Sequence, residues 1–233
     1  MKLSSPLIVF LLIFSATLSA QNNIVKWRPG SLAWNSIDFS YERVFTQQST
    51  AAIKVGIFIP VDFTEELQDQ KLTFREAGYS MGGYTILDSK LSGFSILPEY
   101  RYYTSASAPN GFYVSPYLKF WRAGIDLSAQ NDTTLKITSF SGSLNILGAG
   151  AGIGYQWVIG DAFTIDWNML GLGVDAYILH ANLSGVNAVN TAASIQENFP
   201  GSIISTDGSS TSVTSPPMFN LGFKSNLSIG YKF

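Results

Sequence analysis

The sequence predicts an all-β fold: a closed, antiparallel transmembrane β-barrel of about eight strands, with short periplasmic turns and longer external loops. Three observations predict it. From Phe219 to Phe233, apolar residues alternate with Asn, Gly, Lys and Ser over about fifteen residues, far longer than the five or six of an ordinary soluble strand. After the N-terminal segment, no apolar run approaches the roughly 20 residues of a spanning helix. The composition is poor in charge (13%) and rich in aromatic residues (14%) and Gly (21 residues), which suits a barrel that hides its hydrophobicity in alternation.

In chain order, the first element is a leader. Lys2 gives a positive start, Pro6 to Phe14 is almost wholly apolar, and Ser15, Ala16, Ser19 and Ala20 supply small residues. This order predicts a secretory signal peptide over 1–20, cut after Ala20, with a retained N-terminal anchor as the alternative. Residues 21–233 then form one barrel domain. The absence of Cys excludes a lipid-modified N-terminal Cys, disulfides and thiol–metal sites. With 14 basic and 16 acidic residues, no basic stripe marks a nucleic-acid partner.

The strands follow. A short one over Asn23–Trp27 is turned by Arg28–Leu32, with Pro29 and Gly30 as turn residues. In 36–45, Ile37, Phe39 and Tyr41 share a face that Arg43 interrupts near one end. In 51–60, Ile53, Val55, Ile57 and Ile59 oppose Lys54 and Gly56. In 94–103, Phe94, Ile96, Pro98, Tyr100 and Tyr102 oppose Ser95, Glu99 and Arg101. In 112–121, Phe112, Val114, Leu118 and Phe120 oppose Tyr113, Ser115, Tyr117 and Lys119. A less regular strand runs from Leu135 to Val158, where Gly148, Gly150, Gly152 and Gly154 mark bulges or bends. In 163–169, Phe163, Ile165, Trp167 and Met169 oppose Thr164, Asp166 and Asn168. Ser225 alone interrupts the apolar face of the last strand.

Connections alternate in length. Thr46–Ser49, Thr104–Asn110 and Gly160–Asp161 are short; 61–90 and 185–217 are long; Gln130–Thr133 is intermediate and polar. With the C-terminus in the periplasm, this parity gives eight strands. Ten remain possible if Leu72–Asp88 adds a pair. Short helices are expected over Thr64–Arg75 and near Ala192–Asn198. The soluble alternative is a β-sandwich or lipocalin-like barrel. Against it stands a polar face of Ser, Asn, Gly, Tyr and single charges, where a soluble exterior would carry more Lys and Glu.

The polar faces hold Asp38, Glu42, Lys54, Glu99, Arg101, Lys119, Asp166 and Lys224, four acids and four bases. An eight-stranded barrel is just wide enough for side chains to fill, and buried charges must pair. The expectation is a lumen network, with Lys54 and Lys119 as partners for Glu42 and Glu99. A gate or narrow ion path is the sharper alternative. The single His, His180, has Asp175 and Ser184 near it in sequence but no recognisable motif. Gly148–Gly154 superficially matches a nucleotide loop, but it lies within a strand pattern with no helix after it.

Several stretches carry a resemblance: Phe39–Phe45, Leu97–Tyr103, Gly111–Lys119, Gly154–Trp157 and Leu227–Phe233. They resemble the small outer-membrane β-barrel families of the OmpA/OmpX kind, and an uncharacterised outer-membrane barrel domain family in particular. The resemblance implies location and fold, and carries over no catalytic residue. The terminal Phe233 looks like the signal read by the outer-membrane insertion machinery. The expected partners are therefore outer-membrane lipid, that machinery, and a surface ligand held by loops 61–90 and 185–217. No cofactor and no catalysis are expected. The expected role is structural or surface-interacting, with a narrow channel for ions or small solutes, or a lipid-modifying enzyme using His180, as alternatives.

Overall fold

A computed structural model describes residues 22–62, 64, 84–104, 107–131, 137–185, 197, 201–207 and 210–233. The expected signal peptide over 1–20 and most of the two expected helices lie outside these residues. Among the described residues there are ten strands: β1 (Asn23–Trp27), β2 (Ser36–Val44), β3 (Ser49–Asp62), β4 (Tyr84–Tyr103), β5 (Gly111–Asn131), β6 (Ile137–Ile159), β7 (Phe163–Ser184), β8 (Ile203–Asp207), β9 (Ser210–Thr214) and β10 (Met218–Lys232). Among the described residues no helix is long and apolar enough to cross a membrane.

The sheet closes on itself. Strands β1 to β7 pair in sequence order, and β10 pairs with β7 on one side and β1 on the other. All these pairings are antiparallel, so the ring contains eight strands: the ten less β8 and β9. The alternative extra pair over Leu72–Asp88 is not where the additional strands occur. Residues 84–88 are the outer end of β4, and 72–83 lie outside the described residues. The additional hairpin, β8–β9, falls inside the expected loop 185–217 and pairs with the outer end of β7, from His180 to Ser184. Strands β6 and β7 outlast β10 at this end. Their surplus backbone groups need partners, and β9 supplies them for β7.

Closure depends on one short strand. β1 pairs with β10 only over Ile24–Trp27, and with β2 over Asn23–Trp27. Beyond it, a 3-10 turn over Pro29–Trp34 packs against β2 and β10. At the other end, Asn23 and Phe233 exchange two backbone hydrogen bonds of 3.1 and 2.9 Å. The three short connections all lie at that end. In one, Gly160 and Asp161 both take positive φ, 60° and 63°, the left-handed region that Gly and Asp tolerate best.

The two faces of the ring have opposite chemistry. Outward residues are large and apolar: Phe219 is 72% exposed, Phe223 68% and Leu118 60%. The fully buried residues are largely polar, including Lys26, Glu42, Gln156, Thr164 and Asp166. A small apolar cluster of Ala181, Leu183 and Phe140 sits inside the outer end. Ser225 has a structural reason for breaking its face. Opposite it the β10–β7 register shifts: from Lys224 to Asn226 β10 advances two residues while β7 runs from Gly171 to Asn168, three, so the extra residue lies in β7, and the Ser225 hydroxyl donates to the Asn168 carbonyl at 3.3 Å.

Candidate functional site

The lumen is the one place where polar side chains from every ring strand converge. Period-two alternation sends each second residue inward. Closure of the ring then brings together groups more than a hundred residues apart. Lys26 on β1 pairs with Glu42 on β2 and, at 2.7 Å, with Asp166 on β7. Arg101 on β4 contacts Asp166 at 2.8 Å, Glu99 at 2.8 Å and Glu42 at 3.2 Å. Lys224 on β10 pairs with Glu99. Gln156 on β6 accepts from Lys26 at 2.6 Å, Arg101 at 3.0 Å and Tyr103 at 3.2 Å. Tyr113 on β5 donates to Asp166 at 2.8 Å, and Thr50 on β3 donates to Glu42 at 2.6 Å. One connected network therefore touches all eight strands of the ring.

Its charges cancel. Lys26, Arg101 and Lys224 face Glu42, Glu99 and Asp166. The Arg101 guanidinium lies 4.5 Å from the Tyr113 ring centre and the Lys224 ammonium 4.6 Å from that of Tyr117, so aromatic faces cover what the carboxylates leave. Glu42, Tyr103 and Tyr113 are 0% exposed. A buried ion pair adds little net stability over an apolar filling. What this one does is tie all eight strands together through buried polar groups, with Gln156 Nε2 left without a hydrogen-bond partner among the described residues.

The wall is shaped to admit them. A Cβ at Gly150 would lie 2.6 Å from the Tyr117 hydroxyl, and one at Gly154 would lie 2.4 Å from the Tyr113 hydroxyl. These positions are seats for lumen tyrosines. The bulges expected at these glycines are not found: β6 keeps an unbroken register with β5, and where its register with β7 shifts, between Ile153 and Gly154, β7 passes from Leu170 to Asn168, so the extra residue, Met169, is in β7.

All eight charged residues singled out in the sequence lie on the inner face, in three groups. Glu42, Glu99, Arg101, Asp166 and Lys224 belong to the network. Asp38 pairs with Arg28, and Lys119 pairs with Asp175. Lys54 is in none of the ion pairs of the described residues. The expected pairing of Lys54 and Lys119 with Glu42 and Glu99 is therefore corrected. Lys119 stands level with Asp175, further from the Phe233 end, whereas Glu42 is held by Lys26 and Arg101 nearer that end. Lys26, Gln156, Tyr103 and Asp175 are lumen residues that the sequence reading misses, although Asp175 has the inward parity of Gly171 and Gly173.

His180 and Asp175 point to opposite faces. His180 Nδ1 lies 3.0 Å from the Thr214 hydroxyl on the outer surface, while Asp175 holds Lys119 inside. Ser184 shares a 2.6 Å hydrogen bond with Ser139. These three residues do not form a triad. Among the described residues, no cluster of three or more His, Asp or Glu is arranged to hold a metal ion.

A family model described as "Protein of unknown function (DUF3575)" matches residues 6–197. Among solved structures, a chain described as a major outer membrane protein from Thermus thermophilus is similar at 12% identity, with a TM-score of 0.40. The match covers 92% of this chain and 100% of that one. No curated protein matches.

Proposed function

The chain belongs to the DUF3575 family of proteins of unknown function, and we propose that it is a small outer-membrane β-barrel with a filled, non-conducting lumen. Its role in this reading is structural or surface-interacting, with the outer loops meeting any partner. No catalysis is assigned to it. The observation that carries the reading is the neutral network of buried side chains contributed by all eight strands. Membrane insertion is supported by the outward faces, where Phe, Leu, Ile and Val are exposed around the ring. In water such a patch would far exceed the few hundred Å² usual for a monomer. The short connections at the Phe233 end and the long ones opposite fit the external-loop rule, as does the filled lumen of the OmpA/OmpX-like barrels.

Single-channel recording in a planar bilayer tests the filled lumen. The expected result is no steady open level; a reproducible open level in the wild-type protein would refute it. One observation favours the channel alternative. Ser115 Oγ and both amide atoms of Asn168 are buried in the wall without a hydrogen-bond partner among the described residues, as groups along a narrow wet path would be. The same recording decides between the two.

A further inference from the structure

The outward surface of β4–β7 changes character row by row, and the register defines each row. Ile96, Phe120, Leu147, Ala176 and Phe219 are neighbours across β4, β5, β6, β7 and β10. One step outward come Phe94, Arg122, Asn145 and Ile178; then Ser92, Gly124, Ser143 and His180; then Lys90, Asp126, Ser141 and Asn182. The face therefore passes from apolar to polar within two rows, and Arg122 stands at the change. It lies about 33 Å along β5 from Phe112, at about 3.3 Å per residue, or about 25 Å in height at a tilt of about 40°. That height matches the apolar band of a membrane barrel.

Two recesses meet at this level. Below it, a groove of about 640 Å³ is floored by Ala149 and Ala176 and walled by Leu118, Leu147, Val174 and Phe219. Above it, a pocket of about 430 Å³ is bounded by Ser92, Arg122, Asp126, Ser141, Ser143 and Asn182. Phe94 and Phe120, with ring centres 5.5 Å apart, form the step between them. Arg122 is exposed and is in none of the ion pairs of the described residues. Asp126 lies further out on the same face, accepts the Ser141 hydroxyl at 2.6 Å, and has exposed Lys90 as its register neighbour.

We propose that this surface binds one zwitterionic glycerophospholipid, with an acyl chain in the apolar groove, its phosphate on Arg122 and its ammonium towards Asp126. The proposal rests on the membrane-barrel reading above. The order of the protein groups along β5, apolar then cationic then anionic, is complementary to the order of such a lipid from chain to phosphate to ammonium. The guanidinium can hold two phosphate oxygens at once, and the serine hydroxyls and Asn182 amide can donate to the rest. The outward charges of this rim, Asp62, Asp88, Lys90, Arg122 and Asp126, sum to −1, which suits a zwitterion better than a polyanion.

The test uses the full mature barrel, delipidated in detergent and offered phosphatidylethanolamine, phosphatidylglycerol or diacylglycerol with identical chains. Native mass spectrometry counts the retained lipid. Wild type should keep phosphatidylethanolamine over diacylglycerol by about tenfold, the ratio that one charge-assisted hydrogen bond supports. Arg122→Gln should reduce that preference to near unity. Gly124→Leu should block the pocket without disturbing the wall, since a Cβ there meets nothing nearer than 3.8 Å. The proposal is overturned if Arg122→Gln keeps the wild-type preference, if phosphatidylglycerol is held more tightly than phosphatidylethanolamine, or if millimolar inorganic phosphate displaces the lipid. Membrane fractionation and heat-modifiable gel mobility of the same proteins separate the two readings. A soluble wild type removes the membrane reading and the site with it, whereas a membrane-bound wild type with an indifferent Arg122→Gln variant removes only the lipid site.

Discussion

Replacing Asp166 with Asn removes one charge from the centre of the lumen while keeping its shape. Asp166 accepts from Lys26 at 2.7 Å, Arg101 at 2.8 Å and Tyr113 at 2.8 Å, and is 1% exposed. Without its charge, Lys26, Arg101 and Lys224 face only Glu42 and Glu99, and one cation is left uncompensated. Breaking a buried pair in this way costs about 3–5 kcal/mol, which at about 1.4 kcal/mol per decade is a hundredfold to several-thousandfold loss in the folding equilibrium. Urea titration of the refolded barrel, followed by the fluorescence of its tryptophans, measures it. The double variant Lys26→Met with Asp166→Asn restores neutrality, so its loss should be smaller than the sum of the single losses, an interaction energy that a thermodynamic cycle reads directly. A loss below about 1 kcal/mol for Asp166→Asn, the size of an exposed pair, would mean that water reaches this carboxylate. The lumen would then not be filled.

Three further outcomes are expected. Glu99→Gln should destabilise the barrel by a similar amount or introduce measurable conductance, because Arg101 and Lys224 both lose their carboxylate; wild-type stability together with wild-type conductance would show that Glu99 is solvated. Deleting Phe233 should lower the heat-modifiable folded form on a gel, since it removes the two Asn23–Phe233 backbone bonds that end the β1–β10 seam as well as the expected assembly signal; unchanged folding would discount both roles. Gly150→Val should cost about 1–3 kcal/mol in urea titration, because its Cβ would lie 2.3 Å from the Leu172 carbonyl oxygen, whereas Gly124→Ala should be nearly neutral.

Much of the barrel is legible in the residues alone, because a strand's faces are a local property. Alternation in β2, β3, β4, β5 and β10 separates the two faces without knowledge of any partner, and the alternating connection lengths give the parity of the ring. It also sorts Glu42, Glu99, Arg101, Asp166 and Lys224 onto one face, as the structure has them. Tertiary structure decided which of them meet. Lys26 and Asp166 are 140 positions apart, and their contact depends on the stagger accumulated around the closed ring, which no local period encodes. Lys26 escapes a reading by periodicity because β1 has only five residues, too few to show a period. Asp175 escapes it because the alternation of β7 is clear only as far as Met169, and the Gly-rich continuation carries too few side chains to mark its faces. The bulge of β7 opposite Ser225 and the hairpin of β8 and β9 belong to the same class. Each answers a backbone pairing need created by a neighbouring strand, and that need exists only once the strands are assembled.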